Sequence, residues 1–205
     1  MVSFLSTNDM TNAGQDRNVP SLSRAIVTGA VGFAIVSLCV FATVAFAERW
    51  MYTTLGLAGA YLAWTALFIL LSGAVFGSLV VIRWRLPRFY LLWALAFFAY
   101  AAAWMIAYFT LGRTVGEVVG SVVGSGLMAV VLAAGFGSLR STLKLSAILF
   151  VSNLLGYFLG AALFDFFGNG PMAMLLFGVV YGLFFGAGIG AALQQVQKQR
   201  QIETR

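Results

Sequence analysis

The chain has 205 residues, of which 61% are hydrophobic and only 9% charged, with a net charge of +6, no histidine and one cysteine. A soluble domain carries about 25% charged and about 45–50% apolar residues, so the composition excludes an ordinary soluble domain and requires an integral membrane protein. Without histidine there is no bis-histidine haem, no histidine–metal site and no serine–histidine catalysis, and the lone Cys39 excludes disulfides and thiolate metal sites within one copy.

Residues 1–24 are polar and mixed in charge and read as a disordered cytoplasmic tail. Residues 25–194 then form one transmembrane domain, because apolar runs of about 18 or more residues read as membrane spans. The predicted spans are 25–47, 53–82, 88–110, 115–138, 143–167 and 171–194. The first ends in Ala45-Phe46-Ala47, which looks like a signal-peptidase site, but its apolar run far exceeds the roughly 7–15 residues of a signal sequence. A helix of about 30 residues in the second span would measure about 45 Å against a hydrocarbon core of about 30 Å. It must tilt, protrude or break, and Ser72-Gly73 is its expected weak point. Pro87 precedes the third span, and residues 195–205 form a basic cytoplasmic tail. The fold class is therefore all-α, a bundle of six transmembrane helices packed by glycine ridges.

Orientation follows from basic residues. Arg17 and Arg24, then Arg83, Arg85 and Arg88, then Arg140 and Lys144, then Lys198, Arg200 and Arg205 all fall on one face. The other face has only Arg49 and Arg113. Cytoplasmic loops hold the Lys/Arg excess, so both termini are expected inside, in a bacterial inner membrane. Trp50 and Tyr52 would mark the outer interface, and Trp84, Tyr90 and Trp93 the inner one.

Several constellations lie within the spans. Gly178, Gly182, Gly186 and Gly190 recur every four residues in the sixth span, Gly116, Gly120 and Gly124 in the fourth, and Gly156 and Gly160 in the fifth. Lipid gives no hydrophobic drive for helix pairing, so close backbone approach must supply the attraction, and glycine permits it. Ala173 is expected to face lipid. Beside the ridge of the fourth span run Glu117, Ser121 and Ser125, a polar line on one helix face. An intramembrane carboxylate is costly and marks function by default, but Thr114-x-x-Glu117 is also the pattern of a capping box. Asn153 and Tyr157 lie one turn apart in the fifth span, and Asp165 sits at its end, solvated beside Gly168-Asn169-Gly170-Pro171. In the third span Tyr90, Trp93, Phe97, Tyr100, Trp104 and Tyr108 share a face, next to a seam of Ala96, Ala99, Ala103 and Ala107. Such a stripe either fills space or lines a pocket for a flat or cationic ligand.

No phosphate-binding loop and no close carboxylate pair occurs, so no enzyme, cofactor or metal is expected. The basic residues flank spans and face lipid, so the partner is the bilayer rather than nucleic acid, with homo-oligomers or other membrane subunits as further partners. The expected function is small-solute passage or membrane substrate binding, along a path of Glu117, Ser121, Ser125, Asn153, Tyr157, Tyr100 and Trp104. The alternative is an accessory or assembly subunit of a larger membrane complex, for which glycine ridges and a dry interior suffice. In size and span number the chain looks like the substrate-binding subunits of energy-coupling-factor importers, a likeness of outline with no shared motif.

Overall fold

A computed structural model describes residues 19–81 and 86–203, without the side chains of Leu86 and Arg113. The first 18 residues of the predicted tail, together with Arg83, Trp84, Arg85 and Arg205, lie outside the described residues. Helix α1 spans Leu22–Gly77, α2 Leu86–Leu111, α3 Arg113–Phe136, α4 Thr142–Phe166 and α5 Pro171–Glu203, with a short 3-10 turn at Leu139–Ser141 before α4. All five helices are long and apolar enough to cross a membrane.

Helix α1 starts where Ser21 accepts a hydrogen bond from the Arg24 amide at 3.3 Å, a serine N-cap. A straight helix of its 56 residues would be about 84 Å long. Instead the chain reverses at Gly56, whose backbone (φ 70°, ψ 175°) is not helical. Two arms result, residues 22–55 and 57–77, lying side by side. Trp64 Nε1 donates to Thr43 Oγ1 at 3.1 Å, and the Phe33 ring lies 5.5 Å from Phe68 and 5.7 Å from Phe76. The reversal thus falls later than the 48–52 link expected from charge. Glu48 and Arg49 are exposed and remain helical, since exposed charges can reach water without unwinding the backbone, whereas Gly56 readily takes a positive φ.

The expected break at Ser72-Gly73 is also absent, and the helix runs on to Gly77. Ser72 returns its hydroxyl to the Phe68 carbonyl and accepts from Trp93 Nε1 at 2.9 Å, while Gly73 makes room for the Tyr90 ring. Trp93 is accordingly buried in the core of the bundle.

Helix α5 packs chiefly on α1 and α4, and α2 chiefly on α3. The contacts are close at glycine. A Cβ on Gly190 would collide with the Ala25 carbonyl and one on Gly186 with that of Gly29, while one on Gly182 would stand 2.6 Å from Ala34 Cα. At Gly178 the neighbour is no longer backbone but the Phe41 side chain, at 2.8 Å. On α3, Gly116, Gly120 and Gly124 face Ala107, Trp104 and Tyr100 of α2 in turn, and Gly156 and Gly160 of α4 face Tyr181 and Phe177 of α5. Ala173, expected to face lipid, is buried.

Helix α5 also continues past residue 194 to Glu203, so the described part of the expected tail is helical. Buried Gln197 explains why. Its Oε1 accepts from the Val81 amide at 2.9 Å, and its Nε2 donates to the carbonyls of Leu79 (3.1 Å) and Leu193 (3.0 Å). The bonds to Val81 and Leu79 satisfy backbone groups freed just past the end of α1. Next to it Ser138 donates to Glu203 Oε1 at 3.2 Å.

Candidate functional site

The helices separate around a cavity of about 510 Å³ at the end marked by Gly56, Gly112 and the 167–170 turn. Each helix turns one face to it. The first arm of α1 supplies Val40, Phe41, Val44, Glu48 and Tyr52, spaced mostly by four residues, and the second arm supplies Tyr61, Trp64, Thr65 and Phe68. Helix α2 contributes Phe97, Tyr100, Ala101, Trp104, Met105 and Tyr108, a run of three- and four-residue steps that is one helical face. Glu117 comes from α3, Tyr157, Ala161, Phe164 and Asp165 from α4, and Met174, Phe177 and Tyr181 from α5. Exposed Glu48, Asp165 and Asn169 stand at the mouth, and buried Phe97, Tyr100 and Tyr181 form the floor.

Glu117 is not a cap. Gly112 (φ 82°) is the N-cap of α3 and makes no side-chain capping bond. The positive φ lets the helix begin at Arg113, and the Gly116 amide already bonds the Gly112 carbonyl at 2.7 Å, so Glu117 falls in the second turn. Its Oε1 instead accepts from the Tyr157 hydroxyl at 2.8 Å. That bond holds the carboxylate on the cavity wall, beside Trp104, whose ring lies 5.6 Å from Tyr157 and stacks on Tyr108 at 5.1 Å.

Below the floor lies a buried chain of hydrogen bonds. Tyr100 donates to Asn153 Oδ1 at 2.6 Å, Asn153 Nδ2 donates to Ser121 Oγ at 2.8 Å, and Ser121 donates to the Glu117 carbonyl at 2.7 Å. The Tyr100 and Tyr181 hydroxyls meet at 3.2 Å. Ser125, one turn deeper, is buried and its hydroxyl has no partner among the described residues.

The predicted path therefore divides. Glu117, Tyr157, Tyr100 and Trp104 line the cavity, Ser121 and Asn153 brace its floor from behind, and Ser125 lies outside it. The aromatic stripe divides as well. Phe97 to Tyr108 face the cavity, while Tyr90 and Trp93 pack against α1.

Compared with protein-family models, with curated proteins and with solved structures, the chain matches none of them. The site must be judged on its own chemistry.

The wall contributed by α1 was missed in the sequence, although its signal was present. Tyr61, Trp64, Thr65 and Phe68 follow the i, i+3, i+4, i+7 spacing of a single helix face, and Glu48 stands one turn before Tyr52. Tyr52 packs edge-on to Trp64 at 5.7 Å, and Trp64 to Tyr61 at 5.4 Å. This second aromatic group belongs to the same cavity as the Trp104 group.

Proposed function

We propose that this chain is a six-span membrane protein that admits a small solute into the cavity, acting in substrate binding or passage and not as an enzyme. The two arms of α1 count as separate spans, both termini are cytoplasmic, and the cavity mouth faces outward. Support for the orientation comes from the excess of Lys and Arg at the opposite end. Support for the function comes from one observation, the cavity itself. Its volume of about 510 Å³ falls within the range of roughly 300–1,000 Å³ typical of small-molecule sites, and its wall is largely apolar with a few convergent polar groups, as such sites are.

The test is access. Ala161 lines the wall and Cys39 is the single native thiol. In a Cys39→Ser background, Ala161→Cys should react with a membrane-impermeant maleimide in right-side-out vesicles and not in inside-out ones. Reaction only in inside-out vesicles would reverse the topology. No reaction from either side would make the cavity inaccessible and leave the accessory-subunit reading.

A further inference from the structure

We infer that the solute is a small organic cation, with an alkylated or flat charged head, held against aromatic faces and countered by carboxylates. This rests on the solute-binding reading above and names the substrate class of that same site. Three properties of the wall carry it.

The first is its surface. More than half of the lining residues are aromatic, and they include Tyr52, Tyr61, Trp64, Trp104, Tyr108 and Tyr157. Ring faces carry partial negative charge and attract cations, most strongly where water is excluded. Tryptophan is the best such face, and each of the two aromatic groups contains one.

The second is the sign of its charges. Glu48, Glu117 and Asp165 line the cavity, and no Lys or Arg does so among the described side chains, which do not include that of Arg113. An anionic guest would meet three carboxylates and electron-rich rings, with no counter-charge from those described side chains. A neutral guest would leave those carboxylates without a role in binding.

The third is how the carboxylates are distributed. They come from α1, α3 and α4, and among the described residues no three His, Cys, Asp or Glu side chains gather into a metal-binding group. Hard metal cations need about six oxygen ligands at close range. A diffuse organic charge does not, because its methyl or planar surface is satisfied by rings and its charge by carboxylates at a distance. Glu117 is further committed through Oε1 to Tyr157, which fixes its position but leaves its charge in the cavity.

The experiment uses the full chain in lipid vesicles, with Ala161→Cys on Cys39→Ser, and three probes of similar size that differ in head charge. These are benzyltrimethylammonium, the neutral 3-phenylpropanol and the anionic 3-phenylpropionate. The cation should protect the introduced thiol from the maleimide saturably, at a concentration about tenfold or more below that of the neutral probe, and the anion should not protect. Glu117→Gln keeps an acceptor for Tyr157 and should weaken protection by the cation about tenfold while leaving thermal stability unchanged. Trp104→Leu should weaken it by a similar factor, and Trp104→Phe by less. Equal protection by cation and neutral probe, or preference for the anion, overturns the cation inference and leaves solute binding standing. So does a cation affinity indifferent to Glu117→Gln and Glu48→Gln in folded protein. An introduced thiol that no maleimide reaches overturns both readings together.

Discussion

The two ends of the bundle are built from the same helices, but one is packed solid and the other is hollow. At the packed end Phe76, Trp93, Phe136, Leu145, Ile189 and Leu193 are fully or almost fully buried, and Gln197 stitches α5 to the end of α1. At the hollow end rings of the same kind line a cavity. Along α5 the partners of the glycines change in step with this: Gly190 meets α1 backbone, Gly186 and Gly182 meet backbone and a side chain, and Gly178 meets only a phenylalanine side chain. Beyond it Met174 and Phe177 border the cavity. Along the α5–α1 seam the glycine contacts thus pass from backbone at the packed end to a ring near the cavity, whereas on α3 Gly116 still meets the Ala107 backbone at the cavity end.

The largest disruption should come at the close end. Gly186→Leu drives a side chain into the Gly29 carbonyl and the Phe33 Cβ, and overpacking of backbone on backbone costs about 3 kcal/mol or more. Gly126 has nothing near an added Cβ, so Gly126→Leu serves as the mild control that buried Ala173 cannot. Denaturation in detergent should place the first far below wild type and the second near it. Equal stabilities would mean that the ridge does not hold α5 to α1.

A smaller effect is expected at the floor. Asn153→Ala removes the link between Tyr100 and Ser121. Hydrogen bonds inside membranes are worth about 0.6 kcal/mol on average and at most about 1.7, so a loss of about 1–2 kcal/mol for two bonds is expected. Tyr100 keeps its contact with Tyr181, so the floor should sag rather than collapse. A change below measurement would show that Asn153 is not a brace.

The smallest effect should have the opposite sign to its neighbour's. Ser125 buries a hydroxyl with no partner among the described residues, so Ser125→Ala removes a desolvated group and should be neutral or stabilising by about 0.5 kcal/mol. Ser121→Ala removes a bonded hydroxyl and should destabilise. If Ser125→Ala destabilised more than Ser121→Ala, the hydroxyl would have a partner within the bundle.

The helices were legible in the sequence because apolar run length is a one-dimensional signal, and α2 to α5 begin close to their predicted positions. The first turn was not. Charge suggested Glu48 to Tyr52, yet what a turn requires is a backbone that can leave the helix, and Gly56 supplies it. Glu117, Tyr100, Trp104 and Tyr157 were legible as site candidates because polar and aromatic periodicity marks a helix face. The α1 wall was overlooked because Tyr52 read equally well as an interface anchor. Which half of the α2 stripe would be open was not legible at all. That depends on how closely the neighbouring helices approach, a property of pairs of helices and not of one.

The connections around the cavity mouth carry a further consequence. One is the single residue Gly56, another the single residue Gly112, and the third is the turn at 167–170. None of the three is long enough to fold over the cavity as a flap. Under the proposed function, entry and exit would then be controlled by side chains at the rim or by tilting of whole helices. A guest would exchange at a rate set by how tightly the walls hold it, with no cover to trap it.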